Sequence, residues 1–271
     1  MKLTGKIILA VALTFVFFSI ALYGLSQSIF LGGYENLERD DTARNVSRAV
    51  SAFQADLNNI SALNVDWASW DDTYDFMFSR NRAYIASTLN DETLAKQRLN
   101  LVVYLDSAGR TVFAKAFQYI AMKESPLPPG MKGHLSHGSP LVKPKDEGVS
   151  GMVVLDGGVL MVTAHPILTS EGKGPSRGTL IMGRFLDAEE ISYLSNTIHM
   201  PLSLLPPAKE LIARAGQDDI EVRPVDSGTV EGFGVVKDIY GAPAGIFRIE
   251  LPRAIYNQGK AGVTYFILYL M

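Results

Sequence analysis

The chain has 271 residues, of which 47% are hydrophobic and 20% charged, and its formal net charge is −3. That balance supplies no basic surface for nucleic acid, so no nucleic-acid partner is expected. The absence of cysteine excludes a disulfide scaffold, a thiolate zinc site, an iron–sulfur cluster, a c-type haem attachment and a cysteine nucleophile.

Residues 7–31 carry no charge. At about 1.5 Å per residue they are long enough to cross a hydrocarbon core of about 30 Å. A cleaved signal peptide would have a shorter apolar run followed by an A-x-A-like site, and no clean site is present. Lys2 and Lys6 precede the run; Glu35, Glu38, Asp40 and Asp41 follow it. The positive-inside rule then places residues 1–6 in the cytoplasm and the body of the protein outside.

Next comes a long helical pattern. Ala43, Val46, Val50, Phe53, Leu57 and Ile60 recur at spacings of three and four, and Trp67 follows on the same stripe after the polar Asn64. Leu63, Trp70 and Tyr74 continue the stripe as the helical period drifts. Arg39, Asp41, Arg44, Arg48 and Asp56 lie mostly off it. Such a stripe suits pairing with a second copy near the membrane, giving a parallel homodimer. The alternative is a long core helix within one copy.

A shorter helix is expected near residues 83–98. Strands follow at residues 101–105 and 111–117, joined by a turn through Asp106-Ser107-Ala108-Gly109. Residues 125–148, rich in proline and glycine, read as a long loop. Strands resume at residues 151–155 and 159–167 across Asp156-Gly157-Gly158, and again at 178–186. Asp187 is a helix cap, with Glu189 and Glu190 in the first turn where the helix dipole favours them. A second strand group is expected at residues 202–205, 220–225, 229–239 and 245–251, then a helix from about Pro252.

The uncharged residues 261–271 are about half a membrane span. They read as the start of a second transmembrane helix, which makes residues 32–258 one extracytoplasmic module at the front of a longer protein. A buried C-terminal helix is the alternative. Consecutive hairpins among helices imply an α+β fold, with the long N-terminal helix packed on an antiparallel sheet in a Cache- or PAS-like manner.

The most distinctive string is residues 66–76, DWASWDDTYDF, which holds both tryptophans of the chain. Trp67, Trp70, Asp71 and Tyr74 fall at i, i+3, i+4 and i+7, one face of a helix. The pattern W-x-x-W-D-D-x-Y-x-F resembles the fourth family of CHASE domains, the extracellular sensory domains attached to cyclases and histidine kinases. A strand ending in Asp-x-x-Gly at residues 100–109 and the segment from P-I-L-x-S to G-R-F-L-D within residues 165–187 support the resemblance. It implies an extracytoplasmic sensor joined, beyond a second span, to a kinase or cyclase output, and names no ligand.

Two features offer binding chemistry. Trp67, Trp70 and Tyr74 with Asp71 or Asp72 suit an amine, by cation–π contact plus a carboxylate; the same residues suit packing of the helix on the sheet. Arg184 shares a strand face with Leu180, Met182 and Leu186 and needs an anionic partner, either a ligand carboxylate or an internal aspartate such as Asp71 or Asp72. Amines, amino acids and carboxylates are therefore the expected ligands. His165 reads as a polar residue at a strand end, and His134 and His137 lie in the long loop without an evident third ligand. No G-x-S-x-G, P-loop, H-E-x-x-H or EF-hand motif occurs, and no cofactor is implied. The leading expectation is the ligand-sensing module of a transmembrane receptor; a membrane-anchored envelope enzyme or scaffold is the alternative.

Overall fold

The computed structural model describes residues 3–145, 147–215 and 219–270. Met1, Lys2 and Met271, the outer ends of the cytoplasmic and second-span assignments, lie outside them. Helix α1 (Leu3–Ala68) is a single rod of 66 residues, about 100 Å long. It contains no proline, so nothing breaks its hydrogen-bond ladder. Its window Leu3–Ala21 has a mean hydropathy of 2.2, buries none of its residues in the protein, and is long and apolar enough to cross a membrane.

The rest of α1 is a spine on which two antiparallel sheets are mounted. Three short helices, α2 (Asp71–Ser79), α3 (Arg82–Thr88) and α4 (Asp91–Lys96), lead into β1 (Leu101–Asp106) and β2 (Thr111–Gln118). Then come β3 (Lys123–Ser125), α5 (Met131–His134), β4 (Val149–Leu155), β5 (Gly158–Pro166) and β6 (Gly178–Phe185). These six strands form one sheet in the order β3-β2-β1-β6-β5-β4. Helix α6 (Ala188–Ile198) crosses to the second sheet, made of β7 (Leu202–Leu205), β8 (Ile220–Pro224), β9 (Thr229–Lys237) and β10 (Pro243–Pro252) in the order β7-β10-β9-β8. Helix α7 (Lys209–Arg214) lies between β7 and β8, and α8 (Ala254–Leu270) leaves the second sheet beside α1.

The first sheet is covered on both faces, which is why LVVYL of β1 is apolar at every position. Val102, Tyr104, Leu180 and Met182 join the core that includes Phe53, Leu57 and Ile60 of α1. Leu101, Val103, Leu105 and Ile181 face the other way, under Met131, Leu141 and Val142. The long Pro/Gly loop is therefore a lid on the sheet. On the second sheet, a Cβ at Gly232 would stand 2.5 Å from a Val46 methyl, so glycine lets β9 approach the spine.

The two strand groups form two separate sheets, with the expected helix after Asp187 crossing between them. Two expectations are corrected here. The helix expected near residues 83–98 is split into α3 and α4 where Asn90 caps the second, its side chain accepting the Thr93 N–H at 2.8 Å. The stripe proposed for self-pairing is consumed within one copy: Val46, Phe53 and Leu57 are buried, and Phe53 packs on Phe247 of β10 at 5.5 Å between rings.

Candidate functional site

The aromatic-acidic string turns a corner and does not lie on one helix face. Helix α1 stops at Ala68, whose carbonyl accepts the N–H of Leu168 at 3.1 Å from the connection between β5 and β6. Trp70 is extended (φ −79, ψ 136) and α2 starts at Asp71. Trp67 is buried and stacks on the part-exposed Trp70 with ring centroids 5.6 Å apart. Asp71 accepts the Ser170 N–H at 3.0 Å and the Ser170 hydroxyl at 2.9 Å, which holds its carboxyl below its ordinary value. The Arg177 guanidinium lies 3.8 Å from the Tyr74 ring centre, and the Tyr74 hydroxyl donates to Pro175 O at 3.2 Å. Trp67, Trp70, Asp71 and Tyr74 are thus brought together, and the polar groups of Asp71 and Tyr74 grip the β5–β6 connection. One turn on, Phe76 stacks on Tyr84 at 4.7 Å and meets Tyr104 edge-on at 5.3 Å.

Arg184 is not part of this group. It lies six positions along β6 from Gly178, about 20 Å away at strand spacing. Its partner is Asp56 of α1, not Asp71 or Asp72: Nη1 donates to the two carboxylate oxygens at 2.8 and 2.7 Å. Nε and Nη2 donate to the carbonyls of Arg98 and Gln97. Asp56 precedes Trp67 by about 16 Å along the helix, so one arginine cannot serve both places. The sequence signal for this pair was Asp56 itself, a charge flanked by Phe53, Leu57 and Ile60.

His165 is buried under α1, where its Nε2 lies 2.9 Å from the Ser61 hydroxyl, and burial holds its imidazole below the ordinary value. His134 meets the Tyr240 hydroxyl at 2.9 Å through Nδ1. The polar Asn64 of the apolar stripe donates to Thr163 and to Leu180 O, tying α1 to β5 and β6.

A cleft missed by sequence reasoning opens at one end of the first sheet, across the ends of its strands. It has a volume of about 550 Å³ and is lined by Phe117, Tyr119, Pro126, Pro128, Phe185 and Asp187, among others. Asn100 forms its base, its amide donating to Phe117 O at 3.0 Å and accepting the Phe185 N–H at 2.9 Å. Asp187 caps α6 through Oδ1, which accepts the N–H groups of Glu189 and Glu190 at 3.1 and 3.0 Å. No lysine, arginine or histidine is among the lining residues. The walls are apolar and the single lining charge is a carboxylate, which suits a cationic or neutral solute over an anion.

The CHASE4 domain pattern matches residues 52–205. The methanogenesis regulatory histidine kinase FilI of Methanothrix harundinacea (strain 6Ac) is 30% identical over 236 residues, 85% of this chain and 26% of that protein. The chain thus spans about a quarter of that relative's length. Among solved structures, the extracellular domain of vpHK1S-Z8, classed with the histidine kinases, superposes with a TM-score of 0.54 at 12% identity, over 83% of this chain and 98% of that one. The ligand-binding domain of the Campylobacter jejuni chemoreceptor Tlp3, solved with L-valine, gives 0.50 at 8% identity, over 84% and 97%. The fold is that of Cache- and PAS-like sensor domains, and the chain belongs to the CHASE4 family of sensory domains.

Proposed function

We propose that this chain is the extracytoplasmic sensor of a transmembrane signalling receptor, in which a small solute alters how α8 lies against α1. On this reading residues 7–31 cross the membrane, residues 32–258 stand outside it, and residues 261–271 begin the return. The observation that carries the reading is the junction of the two helices beside the apolar segment. Arg253 Nε donates to Glu38 Oε2 at 2.7 Å, with both side chains buried, and Glu38 Oε1 accepts the Tyr256 N–H at 3.1 Å. A Cβ on Gly259 would stand 2.3 Å from the Tyr34 ring, so α8 rests directly on α1. A solute shifts such an arrangement only by binding its alternatives unequally.

The cleft at Phe117, Tyr119 and Asp187 is the proposed solute site, and an organic amine or an amino acid the proposed class. The relatives support a small ligand, since Tlp3 was solved with L-valine. The aromatic-acidic string then serves to position the β5–β6 connection; a cation over Trp70 is the second reading, favoured by that ring's 37% exposure. The output is proposed to be a kinase, by likeness to FilI. The test is a thermal-shift screen of the full chain in detergent against amines and amino acids. A ligand at about 100 times its Kd adds about 2.7 kcal/mol of stability. Asp187→Asn should abolish an amine's shift while Trp70→Ala keeps it; the reverse result moves the site to Trp70.

A further inference from the structure

Four charged side chains meet where α1, α6 and the end of β6 come together, and neither the string nor the cleft needs them. The Glu190 side chain is wholly buried. Its Oε2 accepts from Nη2 of Arg98, while Oε1 has no hydrogen-bond partner among the described residues. Arg184 cannot turn to supply one. Its nitrogens are committed to Asp56 and to the carbonyls of Arg98 and Gln97, and its Nε stands 3.8 Å from Glu190 Oε2. Two carboxylates therefore lie close together in a buried place, each held by a different guanidinium, with one acceptor left unmet. Both features disfavour the doubly ionised pair.

A proton on Glu190 Oε1 removes both. A protonated Glu190 can donate to the neighbouring Asp56 carboxylate, and the second negative charge is gone. We propose that Glu190 and Asp56 form a proton-binding site that holds one proton between them on the acidic side of neutrality and releases it above, making the protein responsive to the surrounding pH. Burial pushes the Glu190 carboxyl up to about 7; the charges of Arg184 and Arg98 oppose that rise and the charge of Asp56 adds to it. The groups facing Glu190 are Asp56 from α1, Arg184 from β6, Arg98 from the segment before β1 and Tyr119 from the segment after β2. On α6 itself, Asp187 caps the helix and the Tyr193 ring lies 4.1 Å from the Arg98 guanidinium. Strand β7, which also packs on α6, brings no ionisable side chain.

The placement gives the proton a mechanical consequence. Helix α6 joins the two sheets, and Glu190 sits on its α1-facing side. Loss of the proton sets two like charges between α6 and α1. The site adjoins the solute cleft through Tyr119 and Asp187 but uses different charged groups, and it goes beyond the proposed sensing of an amine.

The sign of the effect on stability follows from the raised value. Between the ordinary carboxyl value of 4.5 and about 7 the folded protein holds a proton that the unfolded chain lacks. Stability therefore falls as pH rises through that window and levels off above it. The experiment uses the full chain in detergent, with thermal unfolding followed from about pH 5 to about pH 8 in the unchanged protein, Glu190→Gln and Glu189→Gln. The unchanged protein and Glu189→Gln should lose roughly 5 °C or more relative to Glu190→Gln across the window. A Glu190→Gln profile with the same slope as the unchanged protein overturns the proposal. Infrared spectroscopy adds a direct readout: the carbonyl band of a protonated carboxylic acid should titrate out near neutrality. Where Glu190→Gln fails to fold, Asp56→Asn decides the matter, because removing the second charge must move that titration to lower pH. An unmoved titration, or no such band in the unchanged protein, overturns the proposal equally.

Discussion

Glu38 and Arg253 stand 215 positions apart in the chain and meet in a buried ion pair at 2.7 Å, where the helix entering the module lies against the one leaving it. Glu38 does two things at once: one oxygen holds the guanidinium, and the other accepts the Tyr256 N–H in the first turn of α8. A carboxylate there also complements the helix dipole. Arg253→Ala leaves that carboxylate buried and uncompensated, a change that costs about 3–5 kcal/mol. Glu38→Gln also breaks the pair, but it keeps an acceptor for the Tyr256 N–H and leaves the Arg253 guanidinium 3.7 Å from the Glu35 carboxylate, so it costs less. Thermal unfolding of both variants checks the order; equal losses would mean that the ion pair, and not the cap, carries the whole effect.

The grip of Asp71 on Ser170 makes a separate prediction, because it fastens a connection and not a core. Asp71→Ala releases both Ser170 donors while the Arg177–Tyr74 contact remains. Protease cleavage within residues 169–177 should quicken severalfold, with an unfolding midpoint within about 2 °C of the original, since surface polar contacts contribute little to global stability. Acid should act in the same direction. The Asp71 carboxyl lies below its ordinary value, so its contribution is present at neutral pH and disappears only as pH falls through that lowered value.

Much of the fold is legible from local pattern, and the failures share one cause. The β1–β2 turn is written in its residues: Asp106 Oδ1 accepts the N–H groups of Ala108 and Arg110, both at 2.9 Å, and Gly109 has φ +78. Asp187 caps α6 as its position before Glu189 and Glu190 suggests. The four strands of the second group lie near where alternation puts them. Which sheet a strand joins is set by partners far away in sequence, and alternation does not record that. The break after Ala68 has no glycine or proline to announce it, because a carbonyl captured by Leu168 ends the helix. The Asp56–Arg184 pair spans 128 positions. Asp56 looked like a charge beside the apolar stripe, yet at spacings of three and four from Phe53 and Ile60 it points into the sheet. The cleft was hidden because it is lined by five separate stretches of chain.

The buried stripe of α1 is testable through the absence of native cysteine. Val46 is 1% exposed and packs against the glycines of β9, whereas Ser51 is exposed on the opposite side of the helix. In the folded full chain, a thiol reagent should label Ser51→Cys at least tenfold faster than Val46→Cys, with equal labelling after unfolding. Fast labelling of Val46→Cys in the native protein would return the stripe to an interface between copies.

Topology is the last prediction, and it decides what the module can sense. The proposed topology, from the positive-inside rule, has Lys6 on the cytoplasmic side and the acidic residues Glu35 and Glu38 outside. Both sheets follow α1 past that segment, so they share one side of the membrane whichever side it is. Ser107 lies exposed in the β1–β2 turn, and Thr4 is exposed near the start of α1. Single cysteines at these positions have no background. On intact cells an impermeant maleimide should label Ser107→Cys and spare Thr4→Cys, with both labelled once the membrane is permeabilised. Protection of Ser107→Cys together with labelling of Thr4→Cys would invert the protein. The module would then face the cytoplasm, and a role in reading external solutes or external pH would fall with it.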